Sequence, residues 1–374
     1  MLLEEKVVQD LVQHPVMTRL KGVRLLGTLY ALWDVGKVSR YDHSVGCAAL
    51  VDLFLDRYGI EGDDAYALLL AALLHDVGHT PLSHSTEVLL HSVMRRSHHG
   101  QTTVTLRNGN GSATPVTQVR DVVTSNLRNG ETVFDKTLMA IRWMSQKNVV
   151  HEPLYDILLG PTNIDSLDAI TRMAIALGKE HPDPRRILES FHYDRIKGIT
   201  VDRNGLPLLE DFWRLKDSLY QEYIFESRNQ AVEAMVSRAA SIALARNGDK
   251  ALLTRATDDE LVARMQDDWR SQSLWNMIQR RETLVPMYGS LQVFRSRKGN
   301  ATIGAALELR DRVEDYVAAE LGVEESQRHM VIFHITTRKK FSLRGKASIG
   351  MLDVTWESLG QTFHAERRPA FNVK

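Results

Sequence analysis

The sequence predicts a mainly α fold, a helical core with a smaller α+β lobe at its C-terminal end. Three observations predict it. Apolar residues recur at three- and four-residue spacing through most of the chain up to about residue 275, the period of helices with one buried face. One run, Ala65 to Leu74, is apolar on every side and belongs at the centre of the core. From about residue 285 the texture changes, and Val331-Ile332-Phe333-His334-Ile335 and Phe341-Ser342-Leu343 read as strands. The expected units are 1–284, the helical core, and 285–374, a lobe suited to holding subunits together.

In chain order, Val45, Ala48, Ala49, Val51, Leu53, Phe54 and Leu55 sit at helical spacing over 44–58, stopping near Gly59. Asp63-Asp64 is a candidate cap for the apolar helix, Gly78 its stop, and Pro81 the start of the next segment. Residues 100–118, rich in Gly, Asn, Thr and Ser, read as a surface loop or hairpin. Helices follow around 132–146 and 164–177. Within 195–209, Arg203-Asn204-Gly205 reads as a hairpin turn between Ile199-Thr200-Val201 and Leu206–Leu209. A long amphipathic helix is then expected from about Phe212 to Ala245, with Leu215, Leu219, Tyr223, Ala231, Ala234 and Met235 on its apolar side.

Composition narrows the function. Lys plus Arg equals Asp plus Glu, 47 against 47, so no global field favours nucleic acid or a membrane surface, and an anionic substrate must be met by local charge. Nucleic acid and membrane are therefore not expected partners. Cys47 is the single cysteine, which excludes an internal disulfide and an all-cysteine zinc site. The N-terminus lacks a signal-peptide pattern, and the longest apolar run is too short for a bilayer. A cytoplasmic location is the expectation.

The chemistry concentrates in His75-Asp76-Val77-Gly78-His79-Thr80-Pro81-Leu82-Ser83-His84, with three histidines and an aspartate at the end of the apolar helix. Four positions stand out: His43, the His75-Asp76 pair, and Asp165, each at a helix end where it can point into a shared cleft. Two imidazoles and two carboxylates suit a divalent cation of intermediate hardness: Mn, Fe, Co, Ni or Zn, with Mg also possible. Such an ion acidifies water and clamps a phosphoryl oxygen.

Residues 38–88 resemble the HD superfamily of metal-dependent phosphohydrolases, whose ligand pattern is H…HD…D. The likeness is greatest to the deoxynucleoside triphosphate triphosphohydrolase (dGTPase-like) branch: Arg40-Tyr-Asp-His43-Ser resembles R-F-E-H-S, and His75 to His84 resembles H-D-x-G-H-x-P-F-S-H. Asp165-Ser-Leu-Asp168 is similar to the start of D-x-x-D-Y, and Arg19-Leu-Lys and Thr257-Asp258 extend the likeness. The resemblance implies that His43, His75, Asp76 and Asp165 hold the metal and that Arg40 contacts a phosphate. His79 and His84 would line the reaction centre, one of them protonating the leaving oxygen. His98 or His99 corresponds to a further histidine, His98 aligning better. Lys216 falls where the branch has a phosphate-binding arginine, and Tyr223 lies one position from a tyrosine that frames the sugar. The resemblance also implies a homo-oligomer.

Departures fall where substrate is read. Leu25 stands for a polar sugar-reading residue, Ala169 for the tyrosine of D-x-x-D-Y, Met173 for an aspartate and Ser166 for a lysine. Ile224 and Glu226 stand for the tyrosine and histidine that frame sugar and phosphates. Losing hydrogen-bonding partners weakens discrimination of a ribose hydroxyl. The leading expectation is a metal-dependent phosphohydrolase acting on a nucleotide or related phosphate ester or anhydride. Three alternatives stay open: a dNTP triphosphohydrolase releasing tripolyphosphate, a diiron oxygenase recruiting His98 or His99 with His151, and a nucleotide-binding regulator without turnover.

Overall fold

Burial on all sides puts helix Asp63–Leu74 at the centre, with nine of its twelve residues buried. The computed structural model describes residues 2–108, 118–145, 152–284, 310–332, 344–349, 352–357 and 372–373. Its helices of eight or more residues are α1 (Lys6–Gln13), α2 (Arg40–Tyr58), α3 (Asp63–Leu74), α4 (His84–Met94), α5 (His98–Asn108), α6 (Val119–Asn126) and α7 (Gly130–Met144). They continue as α8 (Ile164–Ala176), α9 (Leu206–Leu219), α10 (Ser227–Asn247), α11 (Asp258–Met265), α12 (Trp269–Gln279) and α13 (Arg310–Glu320). The protein is mainly α, as its apolar periodicity predicts. No helix among the described residues is long and apolar enough to cross a membrane.

Two apolar clusters form. One gathers α2, α3, α7 and α8, with Phe54, Leu70, Phe134 and Leu167; the other gathers α4, α10, α11 and α12, with Leu90, Met235, Leu261 and Leu274. The segment from His75 to Ser83 joins them, since Leu74 and Val77 belong to the first cluster and Leu82 to the second. Burial at both ends fixes where the intervening polar residues sit.

Local chemistry sets the helix ends. Ser39 caps α2 by accepting from the Asp42 amide, and Gly59 at φ 58° closes it in the left-handed region. Asp63 and Asp64 do not cap α3; Gly62 is the capping position and the two carboxylates lie in the first turn, where they meet the helix dipole. Nor does Gly78 terminate α3, which ends at His75 in helical geometry. Gly78 is needed for close approach: a Cβ there would lie 2.2 Å from the Thr102 amide nitrogen and 2.4 Å from the His98 carbonyl oxygen.

Four other expectations are corrected. Residues 98–108, expected from 100 onward as loop, form α5, in which Thr102 donates to the His75 carbonyl at 2.7 Å and Thr103 to the His99 carbonyl at 3.1 Å, while Thr105 accepts from the Gln101 side chain; residues 109–117 of the expected loop lie outside the described residues. The hairpin comes earlier, β1 (Phe191–Asp194) pairing antiparallel with β2 (Gly198–Val201), because Asp194 Oδ1 accepts from both the Ile196 and Lys197 amides at 2.8 Å and builds the turn itself. Arg203–Gly205 instead tightens into a 3-10 turn leading into α9, whose start carries Pro207. The expected Phe212–Ala245 helix is broken by a π-turn at Tyr220–Ile224, after which Glu226 caps α10 by accepting from the Arg228 and Asn229 amides at 2.8 and 3.0 Å. Val331-Ile332 follow the 3-10 turn Glu325–Met330 as irregular backbone, and the rest of the two expected strands lies outside the described residues. Strands β3 (Arg344–Ile349) and β4 (Leu352–Glu357) pair antiparallel, and β5 (Asn372–Val373) runs parallel to β2.

Candidate metal centre

The four predicted donors converge. His43 Nε2 lies 3.2 Å from Asp165 Oδ1 and 3.6 Å from Asp76 Oδ2, and His75 Nε2 lies 3.3 Å from Asp76 Oδ1 and 3.9 Å from Asp165 Oδ1. Each comes from a different place: His43 from the first turn of α2, His75 and Asp76 from the end of α3, and Asp165 from the start of α8. His43, His75 and Asp76 are buried, while the Asp165 side chain is 38% exposed and marks the open side.

Hydrogen bonds behind the rings fix which nitrogen faces the centre. His75 Nδ1 is 2.8 Å from the Ala72 carbonyl, which can only accept, so Nδ1 carries the proton and Nε2 presents a lone pair. His43 Nδ1 donates to Asp168 at 2.7 Å, which turns its Nε2 toward Asp165 and Asp76. Asp168 reaches that ring because Gly46 of α2 leaves room; a Cβ there would lie 2.0 Å from Asp168 Oδ1. His75 Nε2 is buried with no hydrogen-bond partner. The His43 and His75 Nε2 atoms and two carboxylates facing one another make a donor set that fits a divalent metal.

Burial opposes ionisation of Asp76, but the Arg40 guanidinium, then His75 and His43, hold its carboxyl well below the usual range. Asp165 is likewise held low, its partial desolvation being outweighed by the hydrogen bond from His43. Arg40 is itself buried, with Nη1 2.6 Å from Asp76 Oδ2, Nε donating to Ser83 Oγ at 2.9 Å and Nη2 3.4 Å from His84 Nε2. The guanidinium thus sits against a metal ligand at the centre.

The remaining histidines form a second cluster beside Asp76. His79 Nε2 is 3.4 Å from Asp76 Oδ1, and the ring stacks on His98 with centroids 4.1 Å apart. Burial, then the Arg40 and His98 charges, pushes the His79 pKa well below the ordinary imidazole value, so it stays neutral. Glu87 ties His84 to His98, with one oxygen 2.8 Å from His84 Nδ1 and the other 2.5 Å from His98 Nδ1. His84 is 63% exposed at the mouth. His99 is buried next to His75 with its Nε2 unpartnered, so both candidate histidines are near the centre, and His98 is the one that Glu87 and His79 hold.

Lys216 is buried rather than on the helix surface, its Nζ donating to Ser166 Oγ at 3.1 Å beside Asp165 and lying 4.8 Å from the centre of the Trp213 ring. Tyr223 does not meet the donors. It packs edge-on against Trp33, centroids 5.3 Å apart, beneath Lys179. The π-turn rotates Tyr220 inward instead, where the Asp165 charge and burial raise its phenol to about 12, burial acting more strongly. Glu87, Asp168 and Ser83 were missed as site residues; Glu87 and Asp168 each lie three positions after a predicted residue, a helical spacing that could have drawn attention to them. Met173 lies buried in the core and Leu25 is buried with its amide donating to the Val38 carbonyl at 2.9 Å, so neither offers a polar group.

Fold and donor set describe a helical protein with a candidate metal centre of His43, His75, Asp76 and Asp165. Residues 40–132 match the family model of the HD domain. An uncharacterized protein of Bacillus subtilis, YwfO, is 26% identical over 241 residues, 63% of this chain and 51% of that protein. A Cordyceps militaris protein named metal-dependent phosphohydrolase cns2 is 31% identical over 194 residues, 51% of this chain and 47% of that one. A crystal structure described as a phosphohydrolase from Bacteroides thetaiotaomicron superposes with a TM-score of 0.61 at 16% identity, covering 87% of this chain and 82% of that one. The last likeness is one of fold. The chain spans about half the length of the curated relatives it matches.

Proposed function

We propose that the protein is a metal-dependent phosphohydrolase acting on a nucleotide or a related phosphate ester or anhydride. The observation that carries the proposal is the convergence of the His43 and His75 Nε2 atoms with two carboxylates beside a buried guanidinium. A divalent ion held there would acidify a water and polarise a phosphoryl oxygen. Arg40, held by Asp76 and Ser83, presents planar donors that fit a phosphate. Lys216, close behind Asp165, adds a second cation on the same side. His79 is neutral at neutral pH, and Glu87 orients the His84 and His98 rings beside it as candidates for proton transfer.

Similarity to a named metal-dependent phosphohydrolase supports this reading. Within it, hydrolysis of a dNTP to tripolyphosphate is the finer proposal, resting on the motif likeness at His75–His84 and weakened by Leu25 and Met173. The test is release of phosphate, pyrophosphate or tripolyphosphate from a panel of nucleotides and phosphomonoesters, with Mn, Fe, Co, Ni, Zn or Mg supplied and products weighed by mass spectrometry. No product with any metal sinks the proposal. A second reading, a two-metal centre, is favoured by one observation: Asp76, His79 and His98 also bring ligand atoms within 4.8 Å of one another. Metal content of the purified protein separates the two, one ion per chain against two.

A further inference from the structure

The corner that follows the candidate metal ligands is bonded within itself by Thr80 and Thr86, which donate to the Ser83 and Pro81 carbonyls, but these local bonds are not its whole support. Leu82 and Ser83, neither of them glycine, both lie in the left-handed region at φ 58° and 52°. Such residues persist only where surrounding structure over-determines them. Two side chains distant in sequence add to that constraint. Asp258, the buried first residue of α11, accepts from the Leu82 amide with Oδ1 at 2.6 Å and from the Arg24 amide with Oδ2 at 2.9 Å. Arg19 donates to the Val77 carbonyl at 3.1 Å, the His79 carbonyl at 2.8 Å and the Ala256 carbonyl at 2.9 Å. The corner is thereby bound from both sides to the junction before α11.

Ser83 carries this constraint to the centre. Its hydroxyl donates to the Arg24 carbonyl at 2.5 Å and accepts from Arg40 Nε at 2.9 Å, and Arg40 Nη1 meets Asp76 at 2.6 Å. We propose that Asp258 and Arg19 are positioning residues of the metal centre, holding the Leu82–Ser83 corner so that Ser83 aims Arg40 at the ligand Asp76. The proposal rests on the reading of His43, His75, Asp76 and Asp165 as metal donors, and is independent of the substrate. Both residues lie outside the matched segment 40–132, so the chain around 256–258 becomes part of the site's construction.

The test uses the full chain, stripped with chelator and titrated with Co²⁺ while the visible ligand-field bands are recorded. Asp258→Asn sets an NH₂ group against one of two amide donors, and Arg19→Lys cannot reach three carbonyls at once. Each is expected to weaken Co²⁺ binding by about 10–100-fold and alter the bands, as removal of groups behind metal ligands does. Glu260→Ala is the control: it removes the side chain that accepts from the Thr257 amide at the same helix end and is expected to bind Co²⁺ as the parent does. Ser83→Ala, which cuts the relay while leaving Asp258 in place, is the second variant should Asp258→Asn fail to fold, with the same loss expected. Parent-like binding and bands in Asp258→Asn or Ser83→Ala overturn the proposal, as does an equal loss in Glu260→Ala. A parent chain that binds no Co²⁺ overturns the metal reading itself, a different result from all of these.

Discussion

Gly78 lies where the metal loop crosses α5, and Gly78→Ala is the most direct perturbation of that contact. Its backbone is not left-handed, so alanine is conformationally acceptable and the cost is steric. The added Cβ would meet the Thr102 amide nitrogen at 2.2 Å and the His98 carbonyl at 2.4 Å, where ordinary contact begins at 3.4 Å. Both obstacles are helix backbone, so α5 must move by about 1 Å, an overpacking cost of about 1–3 kcal/mol. The shift also stretches two buried hydrogen bonds, Gly78 amide to Thr102 Oγ1 at 2.9 Å and Thr102 Oγ1 to the His75 carbonyl at 2.7 Å, worth about 0.5–1.5 kcal/mol each. Together the loss is about 2–6 kcal/mol, or a fall in Tm of about 3–8 °C for a chain of 374 residues. Gly59→Ala is the comparison: its φ is 58° but its Cβ position is open, so it should cost only about 1–2 kcal/mol. Thermal melts of both variants, with metal content measured alongside, decide the matter. A Gly78→Ala melt no lower than that of Gly59→Ala would refute the close-approach argument.

Three further outcomes are expected. Glu87→Gln should leave the bound metal unchanged but lower kcat about 10²-fold, since it unties His84 from His98; a kcat within twofold of the parent rules out a catalytic use of that pair. Removing the metal with a chelator should lower Tm, by the equivalent of about 2.7 kcal/mol for a site kept at a hundred times its Kd; an unchanged melt after verified metal loss would contradict a site formed only in the folded chain. Burial pushes the partly buried Glu233 carboxyl up to about 7, against hydrogen bonds from Gln230 and Asn229. The unfolded chain ionises near 4.5 while the folded one keeps its proton until about 7, so stability is lost as pH rises through that window, by about 2–3 kcal/mol in all. Glu233→Gln should gain Tm over the parent at pH 8 but not at pH 4; equal differences at both pH values would dismiss the effect.

The chain by itself determined the helical character and the donor types. Periodicity found α2, α3, α7 and α8, and His43, His75-Asp76 and Asp165 could be singled out as candidate donors because their motifs resemble a known ligand pattern; folding brings these four side chains together. The α5 helix was not legible, since its Thr-rich composition looks like a loop until Thr102 and Thr103 find backbone carbonyls and Thr105 finds Gln101. The π-turn was equally hidden, and it decides that Tyr220 rather than Tyr223 turns toward Asp165. Glu87, Asp168, Asp258 and Arg19 became site-building residues only through contacts with loops and helices elsewhere in the chain. The physical reason is range. Helix period and ligand type are written in neighbouring residues, whereas the direction of an imidazole lone pair and the hold on a left-handed corner depend on groups that only folding brings within 3 Å.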